Sequence, residues 1–236
     1  MNLYQIIKAA NLEVAALISH NMPTCHYEKN SLGFGGDLSS GIDLKAEKIF
    51  LDKLLPYGRV YSEECGLVGE GENLFIVDPI DGSDNLISHV PYYGTSVARK
   101  VNGVVIEAVV ANLSNGDTFY KNEKGFFRGS LFSEEMFEVK TNPHSKVGLF
   151  ERAYRYPDIT KELLCKNLKF RSPGATALSL AYAHDTSYML YLGELRSFDI
   201  EAGLFMCHDL NTLKLDNVLL VSQDKEIFDK IAEIII

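Results

Sequence analysis

The sequence predicts an α+β protein, antiparallel sheet covered by helices, on three observations. Residues 94–129, "GTSVARKVNGVVIEAVVANLSNGDTFYKNEKGFFRG", hold short β-rich runs separated by Asn102-Gly103, Asn115-Gly116-Asp117 and Lys124-Gly125. Asn-Gly between such runs is a strong hairpin signal. The N-terminal stretch "MNLYQIIKAANLEVAALISH" interleaves apolar and polar residues as an amphipathic helix does. Beyond Pro143, apolar runs such as "SYMLYLGE" alternate with helical segments.

Taken in order, the first helix is followed by "NSLGFGGDLSSG", residues 30–41, whose Gly and Ser content predicts a loop. "IDLKAEKIFLDKLLP" then places Ile42, Ala46, Ile49 and Leu54 at roughly helical spacing until Pro56 stops it. "RVYSEECG" is a short strand running into acidic residues, and "NLFIVDPIDG" is a second strand doing the same. After the meander, "KVGLFERAY" and "LKFRS" predict strands around a helix over 158–167. "GATALSLAYAH" predicts a helix with Gly174 supplying its tight first turn, and "FDIEAGLFMCHDL" a helix beginning at Asp199. "NVLLVS" and "KEIFDKIAEIII" close the chain as strand and helix. Repeats, low-complexity tracts and long linkers are missing, so the halves read as lobes of one unit. Residues 1–140 form an α+β lobe with the antiparallel sheet and the main acidic motif; residues 141–236 form an α/β lobe closing over it.

A chain of 236 residues fits one large domain or two tightly packed lobes. The net charge of -9, with no run of Lys and Arg, argues against a nucleic-acid surface. Cys25, Cys65, Cys165 and Cys207 form no C-x-x-C pair, and their spacing suggests no zinc site. They read as reduced thiols in a cytoplasmic protein. Glu13 interrupts the apolar N-terminus, which has no basic leader and does not read as a signal peptide. No apolar run approaches the roughly 20 residues of a membrane span. The partner expected is a small molecule, with neither nucleic acid nor membrane.

The chemistry concentrates in "FIVDPIDGSDNL", where Asp78, Asp81, Asp84 and Asn85 fall within eight residues behind an apolar run. Carboxylates in such a place repel one another and resist desolvation. A second strand, "RVYSEE", ends in Glu63 and Glu64. If the two strands are neighbours, their acids converge at one sheet edge as hard oxygen ligands of the kind Mg²⁺ prefers. Pro79 fixes the turn, and Gly82 lets the backbone approach a ligand closely. The amides of Gly82, Ser83 and Asp84 would open a short helix suited to an anion, and clustered acids beside it suit a metal-bridged phosphate.

These residues resemble a known family. "VDPIDGSDN" is similar to the Asp-Pro-Ile-Asp-Gly-Thr/Ser signature of the inositol monophosphatase superfamily, Mg²⁺-dependent and lithium-sensitive sugar phosphatases. "SEECG" resembles its upstream Glu-Glu element, "GIDLKAEKIF" its Asp-x-x-Ala-Glu helix, and "FDIEAG" its second signature. The four elements occur in family order over most of the chain. They look most like the archaeal type that acts on both inositol monophosphate and fructose 1,6-bisphosphate. The resemblance implies the sugar-phosphatase fold, a layered α/β/α/β/α sandwich, and a homodimer. It implies two or three Mg²⁺ ions. Glu63, Asp78 and the Ile80 carbonyl would hold the first, and Asp78, Asp81 and Asp199 the second. Asp43 and Ser83 would pair to orient the attacking water, with Glu63 beside them in the catalytic group. Gly82 and Ser83 would bind phosphate; Arg171, Gly174 and Ala175 would contact substrate.

Simpler readings stand beside these. Asp43 alone is a helix-capping acid and Asp199 an N-cap. An EF-hand fails because Ile80 and Gly82 occupy ligand positions. His208-Asp209 reads as packing, His89 as a loop residue, and Cys65 as a bystander. Four departures from the family pattern bear on substrate. Leu192 stands where an acidic contact to inositol is usual, with Glu194 two residues out of register. Phe198 replaces a Trp, Asp84 adds a charge, and the hairpin after the second signature looks lost from "CHDLNTLKLDNVLL". Arg152 and Arg155, with Arg171, lie in segments able to serve a distal phosphate. The rival activities are a 3'(2'),5'-bisphosphate nucleotidase and a metal-dependent nuclease. A catalytically silent metal-binding subunit is the rival of another class.

Overall fold

Alternation along the strands decides which side chains meet which helices. The structure, a computed structural model, describes residues 2–18, 22–36 and 38–236, the side chains of 29–32 excepted. The chain runs α1 (Leu3–Leu17), α2 (Thr24–Tyr27), β1 (Lys29–Leu32), β2 (Leu38–Ser40) and α3 (Gly41–Leu54). It continues through β3 (Arg59–Ser62), β4 (Gly66–Val68), β5 (Leu74–Asp81) and α4 (Ser83–Ile87). The meander is β6 (Gly94–Val101), β7 (Val104–Asn112), β8 (Asp117–Asn122), β9 (Gly125–Ser130) and β10 (Met136–Glu138). The second half holds β11 (Gly148–Glu151), α5 (Pro157–Cys165), β12 (Phe170–Arg171), α6 (Thr176–Ala181) and β13 (Met189–Leu192). It ends with α7 (Ser197–Met206), β14 (Asn211–Leu215), β15 (Val218–Ser222) and α8 (Lys225–Ile235).

An eight-stranded sheet is ordered β10-β9-β8-β7-β6-β5-β3-β4. It is antiparallel throughout except where β3 lies parallel to β5. A five-stranded sheet is ordered β12-β11-β13-β15-β14. On β5, Phe75 and Val77 join the core under α1 and α3, with Ile7, Ala46 and Phe50. Ile76, of opposite parity, packs with Leu178 of α6 and Ala202 of α7. The far sides of α6 and α7 send Leu180 and Ile200 against Met189 and Tyr191 of β13. Leu190 and Leu192 point the other way, into a core with Leu163 of α5 and Ile231 of α8. The layers are therefore helix, sheet, helix, sheet, helix, the expected five-layer α+β sandwich. Each fully buried aliphatic or aromatic side chain contributes about 1.5–3 kcal/mol.

Three expectations need correction. Residues 30–41 are not all loop: β1 and β2 pair antiparallel within them, and Asp37 lies outside the described residues. The hairpin expected to be lost after the second signature is present, β14 pairing β15 from Leu215 opposite Val218. Its turn is Asp216-Asn217, residue types that tolerate tight turns without glycine. α7 begins at Ser197, so Asp199 sits in its first turn and not at its cap. His208-Asp209 follows that helix as a buttress. Asp209 takes His184 Nε2 at 3.1 Å and the buried Lys121 ammonium at 3.2 Å. His89 adopts φ +58° and meets the Tyr27 ring edge-on at 6.2 Å.

Candidate active site

The parallel pair β3–β5 creates the site. Ser62 lies opposite Val77, and the Glu63 amide donates to the Val77 carbonyl at 3.2 Å. Glu63, just past the end of β3, therefore sits beside Asp78 of β5. The register of β5 against β6 slips between Asp78 and Asp81, as a bulge does, and Pro79 at that slip has no amide to lose from the ladder. Asp81 turns toward α6 and accepts the Leu178 amide at 2.8 Å. The first turn of α7 brings Asp199 to the same place. Carboxylate oxygens of Glu63, Asp78 and Asp199 lie within 4.8 Å of one another.

Asp78 is 2 % exposed and Asp81 5 %. Burial, then the charges of Glu63, Asp81 and Asp199, pushes the Asp78 carboxyl well above the ordinary carboxylate range. Burial, with Asp199, Glu151 and Glu63, does the same to Asp81 against the relief given by the Leu178 amide. Buried like charges of this kind cost stability unless a cation offsets them. An all-oxygen, anionic and partly buried donor set fits a hard divalent cation.

One cation near the acids belongs to the chain. The Arg196 Nη1 lies 2.8 Å from Glu63 Oε1. Its Nε and Nη2 form a fork on Asp199, at 2.8 Å to Oδ2 and 3.0 Å to Oδ1. Nη1 also donates to the Gly35 carbonyl at 3.3 Å.

A second carboxylate group braces the site from beneath. Glu151 shares the parity of Leu149 on β11 and so faces α6; it is 1 % exposed. Its Oε2 accepts the Gly174 amide at 2.8 Å and its Oε1 the Ser179 hydroxyl at 2.5 Å. The Ala175 amide also reaches it. Asn85 Nδ2 donates to the Tyr92 and Pro173 carbonyls, both at 2.7 Å, tying α4 to the 172–176 turn.

The resulting cleft has a volume of about 630 Å³. Asp43, Glu63, Asp78, Ile80, Asp81, Gly82, Ser83, Gly174 and Asp199, all candidates from the sequence, line it. Asp43 Oδ2 accepts from the Ser40 amide and hydroxyl, at 2.8 and 2.7 Å, so its local capping reading describes that oxygen. Ser83 opens α4 on the same cleft. The Ile80 amide donates to Asp78 Oδ1 at 3.0 Å and helps fix that carboxylate. Glu64 also lines the cleft and accepts from the Ser39 hydroxyl.

Two expected substrate contacts are placed elsewhere. Arg171 stands exposed on the two-residue strand β12, outside this lining, and its Nη1 donates to the Phe170 carbonyl at 2.8 Å. Ala175 is 1 % exposed and faces the core between α6 and the large sheet, so Thr176 takes its place on the wall. Arg152, Tyr154 and Arg155 do line the cleft. Arg196 and Glu151 were not among the candidates. Neither falls inside a recognised motif, and only the packing of α6 and α7 brings them to the acids.

Gly82 takes φ +87°, and a Cβ there would lie 3.0 Å from Ala175 Cβ and 3.1 Å from the Tyr92 carbonyl oxygen. Gly82→Ala is expected to destabilise the protein by about 1–3 kcal/mol, the range for a strained left-handed residue. Thermal melts of the two proteins check it, and an unchanged midpoint would contradict the strain.

Five alternating layers, with carboxylates gathered where two parallel strands meet two helix starts, define the class: a layered α+β fold with a buried acidic cleft. The sequence model of the Inositol monophosphatase family matches residues 2–213. The chain belongs to that family. It is 30% identical over 196 residues to the fructose-1,6-bisphosphatase/inositol-1-monophosphatase of Methanothermobacter thermautotrophicus, spanning 73% of this chain and 69% of that protein. It is 24% identical over 219 residues to a Xylella fastidiosa protein named Nus factor SuhB, across 86% of this chain and 78% of that one. Among solved structures, a Thermotoga maritima IMPase superposes with a TM-score of 0.77 over 100% of this chain and 98% of that one. At 22% identity, that likeness is one of fold.

Proposed function

We propose that this protein is a Mg²⁺-dependent phosphomonoesterase acting on a small sugar or polyol phosphate. The observation that carries the reading is the convergence of Glu63, Asp78 and Asp199 oxygens within 4.8 Å, in a cleft. Glu63, Asp78, Asp81 and Asp199, with the Ile80 carbonyl, would hold the cation. Mg²⁺ so held supplies Lewis-acid polarisation of phosphoryl oxygens and a lowered pKa for water. Ser83 and Asp43, which both line the cleft, would orient the attacking water and take up its proton. Amides at the start of α4 lie outside the intrahelical ladder by position and suit phosphate oxygens. Confinement of the ester in this cleft would favour in-line attack and departure.

The walls favour a substrate with a second anionic group. Leu192 points away from the cleft into the outer core, so an acid contact to a polyol is not available from that position. Glu194 is exposed and outside the lining. Arg152, held over the Tyr191 ring at 5.2 Å, and Arg155 supply positive charge instead. Arg155→Ala is expected to raise KM for fructose 1,6-bisphosphate about tenfold, in line with one charged hydrogen bond. The same change should leave inositol monophosphate turnover near normal; equal effects on both would count against the assignment.

The test of the function is phosphate release from inositol monophosphate, fructose 1,6-bisphosphate and a nucleoside 3',5'-bisphosphate. It is run with Mg²⁺, with a chelator and with added Li⁺. Release that requires Mg²⁺ is expected. Folded, metal-binding protein that releases phosphate from none of them would sink the reading and favour a silent subunit.

A further inference from the structure

The guanidinium of Arg196 takes both oxygens of Asp199 and one of Glu63, two of the three carboxylates that converge in the cleft. A planar fork seated on a carboxylate engages its lone pairs in a fixed geometry. A hard divalent cation needs oxygen lone pairs of the same groups at about 2.0–2.6 Å and is repelled by a guanidinium beside it. We propose that Arg196 is a built-in counter-ion that competes with the divalent cation for Glu63 and Asp199, so that metal binding displaces its guanidinium. The inference rests on reading this cradle as a divalent-cation site, not on which ester is hydrolysed.

The surroundings suit a residue with two resting places. Arg196 is the N-cap residue of α7, so the helix start fixes its backbone while its long side chain reaches the cleft acids. The guanidinium carbon lies 5.8 Å from the Phe198 ring centre, and the side chain forms part of the cleft wall. Without metal, Arg196 relieves the repulsion among the buried acids. With metal, that relief is supplied by the ion. Metal affinity is thereby lowered by the fraction of molecules in which the fork is closed.

The experiment is calorimetric titration of the metal-free protein with MgCl₂ and MnCl₂, for wild type, Arg196→Met and Arg196→Lys. It is paired with NMR observation of arginine Nε–H groups during the Mg²⁺ titration of wild type. Arg196→Met is expected to bind metal about tenfold tighter or more, the scale of one charge-assisted contact removed from competition. Its metal-free melting temperature should fall below that of wild type. Arg196→Lys, which keeps the charge and loses the fork, should bind more tightly than wild type. The resonance missing from the variants identifies Arg196, and in wild type it should shift as metal saturates the site. Equal or weaker metal binding by Arg196→Met would overturn the proposal and make Arg196 a positioning residue for Asp199. An unmoved resonance at saturation would overturn displacement, and so would no metal binding by any of the proteins. If Arg196→Met does not fold without metal, the lysine variant and the wild-type resonance decide. Metal binding with these signatures but no phosphate release would sink the phosphatase reading alone.

Discussion

Asp81→Asn is expected to lower phosphate release by about 10²–10³-fold, the scale for losing one preorganised electrostatic group. The metal-free protein should remain at least as stable as wild type. Both expectations come from one side chain. Asparagine keeps an oxygen able to accept the Leu178 amide, so the contact between β5 and α6 survives. It removes a buried charge that burial and the neighbouring acids disfavour. It also removes an anionic ligand, so the rise in melting temperature on adding Mg²⁺ should shrink. Melts with chelator and with Mg²⁺, beside phosphate release, read all three effects. Near-normal turnover in this variant would sink the metal assignment.

Glu151→Ala should be the most damaging change to stability, at about 3–5 kcal/mol. It leaves the buried Ala175 amide and Ser179 hydroxyl without their acceptor, at about 1–3 kcal/mol for each orphaned group, and the part-buried Gly174 amide as well. Glu151→Gln should be far milder, because its oxygen can take the amides while its NH₂ donates to the serine. The two also separate by pH. Burial raises the Glu151 carboxyl above the ordinary glutamate value, against the hydrogen bonds from Ser179, Gly174 and Ala175. A raised folded value means that its contribution is fully present below about pH 4.3. That contribution is lost as pH rises through the raised value. The melting temperature of Glu151→Gln should therefore gain on wild type from pH 4 to pH 7. A constant difference would show that the carboxylate is not strained in the fold.

Wherever the parts of the site were close in sequence, they could be read before folding. "VDPIDGSDN" holds two predicted ligands and the tight turn between them within a few residues, and its local chemistry needs no partner to be recognised. Asp43 and Asp199 were legible only through the spacing of family motifs, since alone each reads as a helix-start acid. Arg171 and Ala175 show the limit of that method: register placed them near Gly174, but Arg171 stands on β12 outside the cleft lining and Ala175 is buried. Leu192 shows it again, because alternation on β13 decides that it faces α8 and not the cleft.

The sequence by itself determined the amphipathic helices, the Asn-Gly hairpins of the meander and the acidic strand ends, because these depend on periodicity and turn chemistry within about ten residues. Only the tertiary structure decided that β3 runs parallel to β5, which sets Glu63 beside Asp78. It also decided that α6 and α7, the layer shared by both sheets, carry Asp199 and Arg196 to that edge and press Leu178 onto Asp81. Those contacts join residues far apart in the chain, 133 positions in the case of Glu63 and Arg196. No local preference specifies them; they follow from burying both faces of two sheets against one layer of helices.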